Sequence, residues 1–465
     1  MILELLEENP DPVPGKIKSM NDAIRARMHA DLPMLRRVFL LALPLILSNL
    51  TQPLLTTVDT VLSGHLPSAA ALGGVAMGGI FFNAIFWSFG FLRMGTTGLV
   101  SQAHGAGNEP QLATHVARAL LLALALGLAV LLLQKPLLTL AMHLLSGSEA
   151  ARAQALIYCR IRIFSAPAAL VNYVVLGTLL GRQRARVALL IQGFIQVTNA
   201  VVALALVVGL HWAIAGIATA TLAAECAGAL LGLLMLARSF DRRLIGWSEL
   251  LHRAELKRLF ALNRDILLRT LSLVAAYGWF TRTGAQTSDT ILAANAVLLN
   301  VMAIASYGLD GFANATEALV GEAIGARQSA SFRAIVRTST LCALTTALVF
   351  ALLFASLGSR ILPLLTSQPA VIEAARADLG WLAALPLVAV WGFQLDGIFI
   401  GATRAHDLRN SMLISFTGYL LVSLILVPRM GNAGLWLSFH LFMALRGLTL
   451  AVRLKGLEQE CFSLK

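Results

Sequence analysis

From residue 37 onward the chain repeats one pattern: a long apolar run, a short break carrying basic residues, glycine or proline, and another apolar run. Several runs, among them 119–133 and 200–210, have no polar face at all. A helix that is apolar all round sits in a bilayer or a very large core, whereas a surface helix keeps a polar side. A hydrocarbon layer takes about 20 such residues to cross. The pattern predicts spans at 37–64, 68–104, 112–144, 151–180, 186–210, 212–237, 256–287, 290–325, 333–358, 372–402, 408–428 and 431–453. The predicted fold is an all-α integral membrane protein of twelve helices in two parallel six-helix lobes.

Composition agrees. The 465 residues are 58% hydrophobic and 13% charged, against roughly 45–50% and about 25% in soluble domains. A net charge of +12 raises the question of nucleic acid, but the basic residues are dispersed over short loops, so no nucleic-acid partner is expected. They crowd instead into alternate breaks, around 16–37, 182–186, 238–264, 327–337, 404–409 and 453–465. The intervening breaks and flanking turns hold only Lys135, Arg152, Arg282, Arg360, Arg376 and Arg429. Under the positive-inside rule this places both termini in the cytoplasm. The organisation read from this is a tail over 1–36, a lobe over 37–237, a basic loop over 238–255, a second lobe over 256–453 and a tail over 454–465. The first 35 residues lack the apolar core of a signal peptide. Cys159, Cys226, Cys342 and Cys461 are too scattered for a disulfide frame or a metal spacing and read as small core residues.

The two halves repeat. GLVSQAHGAGN at 98–108 aligns with ALVGEAIGARQ at 318–328, and GTLLGRQRA at 177–185 aligns with GIFIGATRA at 397–405, both at an offset of 220 residues. Parallel repeats of this kind place a substrate cavity between two bundles.

Ionisable and strongly polar residues inside spans are expensive and so need a reason. Asp59 lies in the first span, and Ser48, Gln52, Thr56 and Asp59 follow one another by about one helical turn, forming a polar stripe. Pro44, fifteen positions earlier, predicts a bend. On the fifth span Gln192, Gln196 and Asn199 share a face, with Thr219 and Thr221 on the sixth and Asn172 on the fourth as further polar groups. These residues read either as an ion or proton site or as interhelical hydrogen-bonding glue. Asp310 and Asp396, each beside a glycine in the second half, line a cavity or pair with Arg93, Arg269 or Arg446. Glu225, Glu317 and Glu322 are read as helix-end residues, and Asp265 with Arg269, four apart, as an intrahelical pair. No nucleotide-binding loop or paired metal histidines appear, so no cofactor is expected and an ion gradient is left as the driving force.

The stretches LALPLILSN, TTVDTVLSGHL, ALGGVA, FLRMGTTGLVSQAHGAGN, LNRDILLR, LDGFANATEALVGEAIGAR and LDGIFIGATRAHDLRNSM resemble, in order, the MATE family of multidrug and toxic-compound extruders, in its DinF-like branch. The resemblance implies two six-helix lobes exporting cationic or amphipathic compounds in exchange for H⁺ or Na⁺. It makes Asp59 the ion-carrying aspartate of the first helix, Pro44 its bending point, and Asn199 and Thr221 the polar partners, with Asn172 and Gln196 nearby. Ala203 stands where the family pattern has a second aspartate, which removes a ligand from a four-ligand Na⁺ site. Gln52, Thr56, Asp310, Asp396 and Arg93 are the cavity candidates.

The expected protein is therefore a monomeric, proton-coupled efflux antiporter of a bacterial cytoplasmic membrane. A Na⁺-coupled antiporter of the same family and a lipid-precursor flippase of the same superfamily are the alternatives. A membrane enzyme lacks a reactive His, Cys or metal constellation to support it.

Overall fold

The computed structural model describes residues 17–64, 66, 69–144, 148–240, 245 and 247–463, without the side chains of 17–31, 52–56, 59, 69, 144, 247 and 248. Every regular element among them is helical: α1 (Ile17–Gly64), α2 (Ala69–Ser88), α3 (Phe91–Gly105), α4 (Glu109–Leu132), α5 (Gln134–Leu144), α6 (Glu149–Arg162), α7 (Ala166–Gly181), α8 (Ala185–Leu204) and α9 (Ala213–Ser239). The series continues with α10 (Trp247–Leu250), α11 (Arg253–Thr287), α12 (Asp289–Gly325), α13 (Ser329–Leu365), α14 (Pro369–Ala377), α15 (Leu379–Gly401), α16 (Ala405–Met430) and α17 (Asn432–Phe462).

Eleven described segments are long and apolar enough to cross a membrane. The remaining expected span, 256–287, is α11, a helix of 35 residues. Charged residues crowd its first half, and Thr281, Arg282, Thr283, Gln286 and Thr287 keep its second half less apolar than the other spans. Four expected spans are each two helices. The 68–104 run breaks at Phe89–Gly90, 112–144 at Leu133, and 372–402 at Asp378. The 151–180 run passes through a 3₁₀ turn, Ile163–Ser165, ahead of Pro167, whose missing N–H suits the first turn of α7. At the other end, α1 starts at Ile17, so residues 17–36, read as tail, are continuous with the first span.

Contacts gather the described chain into two compact units, Leu47–Asn263 and, separately, Arg264–Lys465 with the residues up to Ile46. In the first unit, Phe82, Tyr158, Ile163 and Ile217 are fully enclosed, and the Arg162 guanidinium lies 4.8 Å from the centre of the Phe82 ring. Arg118 of α4, buried despite its charge, donates to the carbonyls of Glu249 (2.5 Å) and Leu250 (3.3 Å) and so fixes the short α10. The second unit packs Phe280, Tyr419, Trp436, Phe439 and Phe442 into one aromatic core. There Asn295 and Asn432 exchange hydrogen bonds at 2.8 and 3.0 Å, Trp436 Nε1 donates to Asn295 Oδ1, and Asn432 donates to Asp378.

The 220-residue repeat extends to backbone geometry. Gln183 and Thr403, Gly107 and Arg327, and His211 and Gly431 are three pairs at that offset, and all six residues have φ between 55° and 65°. Gln183, Thr403, Arg327 and His211 hold a conformation that ordinarily favours glycine. Side-chain-free contacts repeat too. A Cβ on Gly177 would collide with the Arg93 carbonyl and one on Gly397 with that of Ala313, while Gly181 meets Thr97 and Gly401 meets Glu317 in the same way. Each glycine lets two helix backbones touch, the packing device available where lipid offers no hydrophobic driving force.

The cysteine reading needs correction. Cys159 and Cys342 are buried, but Cys461 is partly exposed and Cys226 exposed, so these two are not core residues.

Candidate functional site

Three helices of the Leu47–Asn263 unit meet around polar side chains that no soluble-protein argument would put there. On α8, Gln196, Asn199 and Ala203 lie at three- and four-residue intervals and share one face. On α9, Thr221 and Glu225 are one turn apart, and α7 contributes Asn172. Gly228 allows the close approach: a Cβ there would overlap Ile195 of α8 and come within 3.4 Å of Asn172 Nδ2.

Asn199 and Thr221, both almost wholly buried, are joined by a 3.0 Å bond from Asn199 Nδ2 to Thr221 Oγ1. Thr221 passes its own proton back to the Ile217 carbonyl at 3.3 Å, a four-residue bond that fixes the rotamer. Using its amide as donor leaves Asn199 Oδ1 as an acceptor with no hydrogen-bond partner among the described residues; Gln196 Oε1 and Asn172 Oδ1 are in the same state. Buried acceptors without donors are costly and ask for an explanation. Ala203 is completely buried and contributes only a methyl group.

Asn172 is not part of the Asn199–Thr221 pair. Its Nδ2 donates to Glu225, at 2.7 Å to Oε2 and 3.1 Å to the backbone carbonyl. Glu225 thereby corrects an earlier reading. It is not near a helix end but at the middle of the 27-residue α9, too far from either terminus for capping. Thr219, grouped with the pocket by spacing, bonds the Ala215 carbonyl instead. The side chains of Asp59, Gln52 and Thr56 lie outside the described residues; their backbone belongs to α1. Pro44 sits within that same continuous helix, two residues before the boundary between the units. Arg93 is part-exposed on α3, with the Tyr173 hydroxyl within reach of its field.

In the other unit, Asp396 of α15 is gripped by two arginines from different helices, Arg269 of α11 and Arg446 of α17, all three buried. The pairing of Asp265 with Arg269 does not form. Asp265 instead accepts from Arg264 at 2.9 Å and Arg409 at 2.8 Å. Both carboxylates are buried and need compensation: Asp396 takes it from the buried Arg269 and Arg446, and Asp265 from Arg264 and Arg409, which are more exposed. Asp310 is half-buried and interacts electrostatically with Tyr277 and Tyr307. Gln394, not singled out by spacing, donates to Thr316 Oγ1 (2.9 Å) and Ser339 Oγ (2.6 Å) and ties three helices together. Its signal in the sequence was a lone amide two residues before Asp396 in an apolar run.

A repeat of long apolar helices with carboxylates and amides set inside the spans is the construction of a membrane transporter, and comparison with known proteins agrees. The profile of the MatE family matches residues 44–205 and 272–428, one stretch in each half. The chain is 44% identical over 414 residues to DNA damage-inducible protein F of Escherichia coli K12, covering 88% of this chain and 90% of that one. It is 25% identical over 448 residues to a probable multidrug resistance protein NorM of Acinetobacter baylyi, covering 90% and 95%. Among solved structures, an outward-facing multidrug resistance MATE transporter of the MOP superfamily and a MOP superfamily transporter from Pyrococcus furiosus each superpose with a TM-score of 0.83 at 18% identity, over 91% of this chain and 96% of theirs. The chain belongs to the MatE family: it is a DinF-like, multi-pass membrane transporter of the multidrug efflux class, not an enzyme.

Proposed function

We propose that the protein exports amphipathic or cationic small molecules across a bacterial cytoplasmic membrane in exchange for protons, as a monomer with both termini in the cytoplasm. Its two lobes, 37–237 and 256–453, alternate access around a cavity, and α1 bends at Pro44 as they do. Asp59 carries the proton.

The observation that supports proton coupling most is the arrangement around Asn199. Its carboxamide is oriented by Thr221 so that Oδ1 remains an acceptor, while the neighbouring Ala203 adds no charge and no oxygen. A hard metal cation needs several oxygen ligands at once. One carboxyl group with a neutral acceptor beside it is enough to hold and release a proton. A proton moving inward gains about 2.3 kcal/mol per 100 mV of membrane potential.

The substrate class comes from the resistance function in the names of relatives. A flippase of anionic lipid precursors needs uncompensated cavity cations, and the arginines best placed for it, Arg269 and Arg446, are both engaged by Asp396.

Purified protein in liposomes, under an imposed pH gradient and without sodium, is expected to transport a cationic dye such as ethidium. Asp59→Asn, which keeps the shape but cannot ionise, is expected to abolish this while remaining folded. Normal coupled export by that variant defeats the assignment of Asp59.

A further inference from the structure

Between residues 47 and 240 only two acidic residues lie away from helix ends, Asp59 and Glu225. The proton-coupled reading uses Asp59 and gives Glu225 nothing to do. An idle carboxyl group in the middle of a membrane helix is costly. Glu225 forms no ion pair at salt-bridge distance among the described residues. Its direct partner is an amide, Asn172, which donates to Oε2 and to the backbone carbonyl of the same residue.

The surroundings resemble those of Asn199. Asn172 is 4% exposed and, like Asn199, spends its N–H on a fixed neighbour and leaves Oδ1 buried without a donor. Thr221 and Glu225 are one turn apart on α9, so the two amide–oxygen pairs stack along a single helix face. Glu225 as a residue is half-buried, and Oε1 is not the oxygen that Asn172 engages. The groups facing it are Asn172 and Tyr173 from α7, Arg162 from α6, and Cys226 on α9, while α8 brings the non-titrating amides Gln196 and Asn199 to the same region. Arg93 in turn acts on Tyr173. Among the described residues Arg162 is the one cation whose field reaches the Glu225 carboxyl, and the Asn172 amide bond holds the side chain in one place.

We propose that Glu225 is a second proton-exchanging group of this unit, so that each transport cycle moves two protons, one on Asp59 and one on Glu225. The proton adds to Oε1, because Oε2 is taken by the Asn172 amide. The O–H bond forms with a proton from water on the outer side and breaks to water on the inner side, with no other bond changed. This inference rests on the proton-coupled reading above.

The test is the limiting substrate gradient, not the rate. In liposomes with the membrane potential clamped and sodium absent, each coupled proton supports about a tenfold dye gradient per unit of imposed pH difference. Glu225→Gln, which retains an acceptor for Asn172, is expected to lower the wild-type limiting ratio by about tenfold per pH unit, that being the share of one proton. Glu225→Asp, which retains the acid, is expected to restore it. A Glu225→Gln protein that reaches the wild-type ratio, however slowly, overturns the inference and leaves Glu225 a structural group. If Glu225→Gln yields no functional protein, Glu225→Asp is followed by infrared spectroscopy for a carboxyl band that titrates with pH and is shifted from its wild-type position. A titrating band at an unshifted position overturns the inference equally. The two readings fail separately: inactive Asp59→Asn with an unaltered Glu225→Gln ratio removes only the second proton, and active Asp59→Asn removes the first.

Discussion

Asp396 shows how much a single carboxylate depends on its partners. Two arginines from helices far apart in sequence converge on it inside the membrane, and all three groups are desolvated. Removing one member of such a set leaves uncompensated buried charge, which costs about 3–5 kcal/mol. Asp396→Asn is expected to lower thermal stability in detergent by an amount of that order, and to reduce export of cationic and neutral compounds alike. A stable variant that loses only cation export would instead put Asp396 in contact with substrate. The sequence carried half of this story. A carboxylate in an apolar run announced itself with Arg269 and Arg446 among its possible partners, but these are 127 and 50 residues away, and the visible four-residue spacing of Asp265 and Arg269 assigned Arg269 to the wrong carboxylate. Spacing tells which side chains are able to meet along one helix and is silent about competitors on the next. Asn199 and Thr221 were legible as polar residues at helical spacing inside apolar spans, alongside Gln192, Gln196 and Thr219. Glu225 was equally legible as a charge at mid-span, and only its misplacement near a helix end hid it.

At the scale of helices, glycine decides how closely two backbones approach. Gly397 faces the Ala313 carbonyl with no room for a methyl group, so Gly397→Ala is expected to cost about 1–3 kcal/mol through overpacking. Gly193 has nothing within 4 Å of the position a Cβ would take, and Gly193→Ala is expected to be neutral or, from helix propensity, stabilising by up to about 1 kcal/mol. Thermal unfolding of both variants in detergent checks the contrast, and equal effects would count against the packing argument. These contacts explain why the glycine-bearing motifs recur at one offset: the repeat preserves helix crossings. Helix breaks were less visible. The interruptions at Gly90 and Pro167 have a local cause, but a run of apolar residues reads the same whether or not the helix restarts within it. A second helix-level feature lies outside the spans. Asp378, between α14 and α15, accepts from Asn432 at 2.6 Å, and Asn432 is paired in turn with Asn295. Burial holds its carboxyl above the usual aspartate range, against a smaller opposing effect of the Asn432 bond. The folded state therefore favours the protonated acid. Its contribution is complete below the ordinary aspartate value of about 4 and fades as pH rises through the higher folded value. Asp378→Asn, which keeps an acceptor and cannot ionise, is expected to flatten that decline in unfolding temperature between mildly acidic and neutral pH. Parallel pH curves for the two proteins would assign the pH dependence elsewhere.

For the whole molecule the decisive question is which ion is exchanged, because the ion sets how transport answers to its surroundings. Family membership fixes the transporter class and leaves the ion open. The argument for H⁺ turns on one position. Ala203 is buried one turn from Asn199, and its methyl group can neither neutralise nor coordinate a metal cation. Glu225, one turn from Thr221 on α9, keeps Oε2 committed to Asn172. On the Asn199 face of α8 a sodium ion stripped of water would find amide oxygens and the Ala203 methyl group in place of a second carboxylate, and hard cations are held by charge and ligand number together. A proton needs neither, since a single desolvated carboxyl group binds it covalently. Transport is therefore expected to follow an imposed pH gradient in sodium-free solution and to change little when sodium is added. Ala203→Asp returns a carboxylate to the face of α8 that already carries Asn199, and it is expected to make dye transport in liposomes respond to an imposed sodium gradient. An unmodified protein that is inactive without sodium at every pH gradient would mean that Asn172, Gln196 and Asn199 oxygens together replace the absent carboxylate, and the orphaned acceptors of this site would then be its metal ligands.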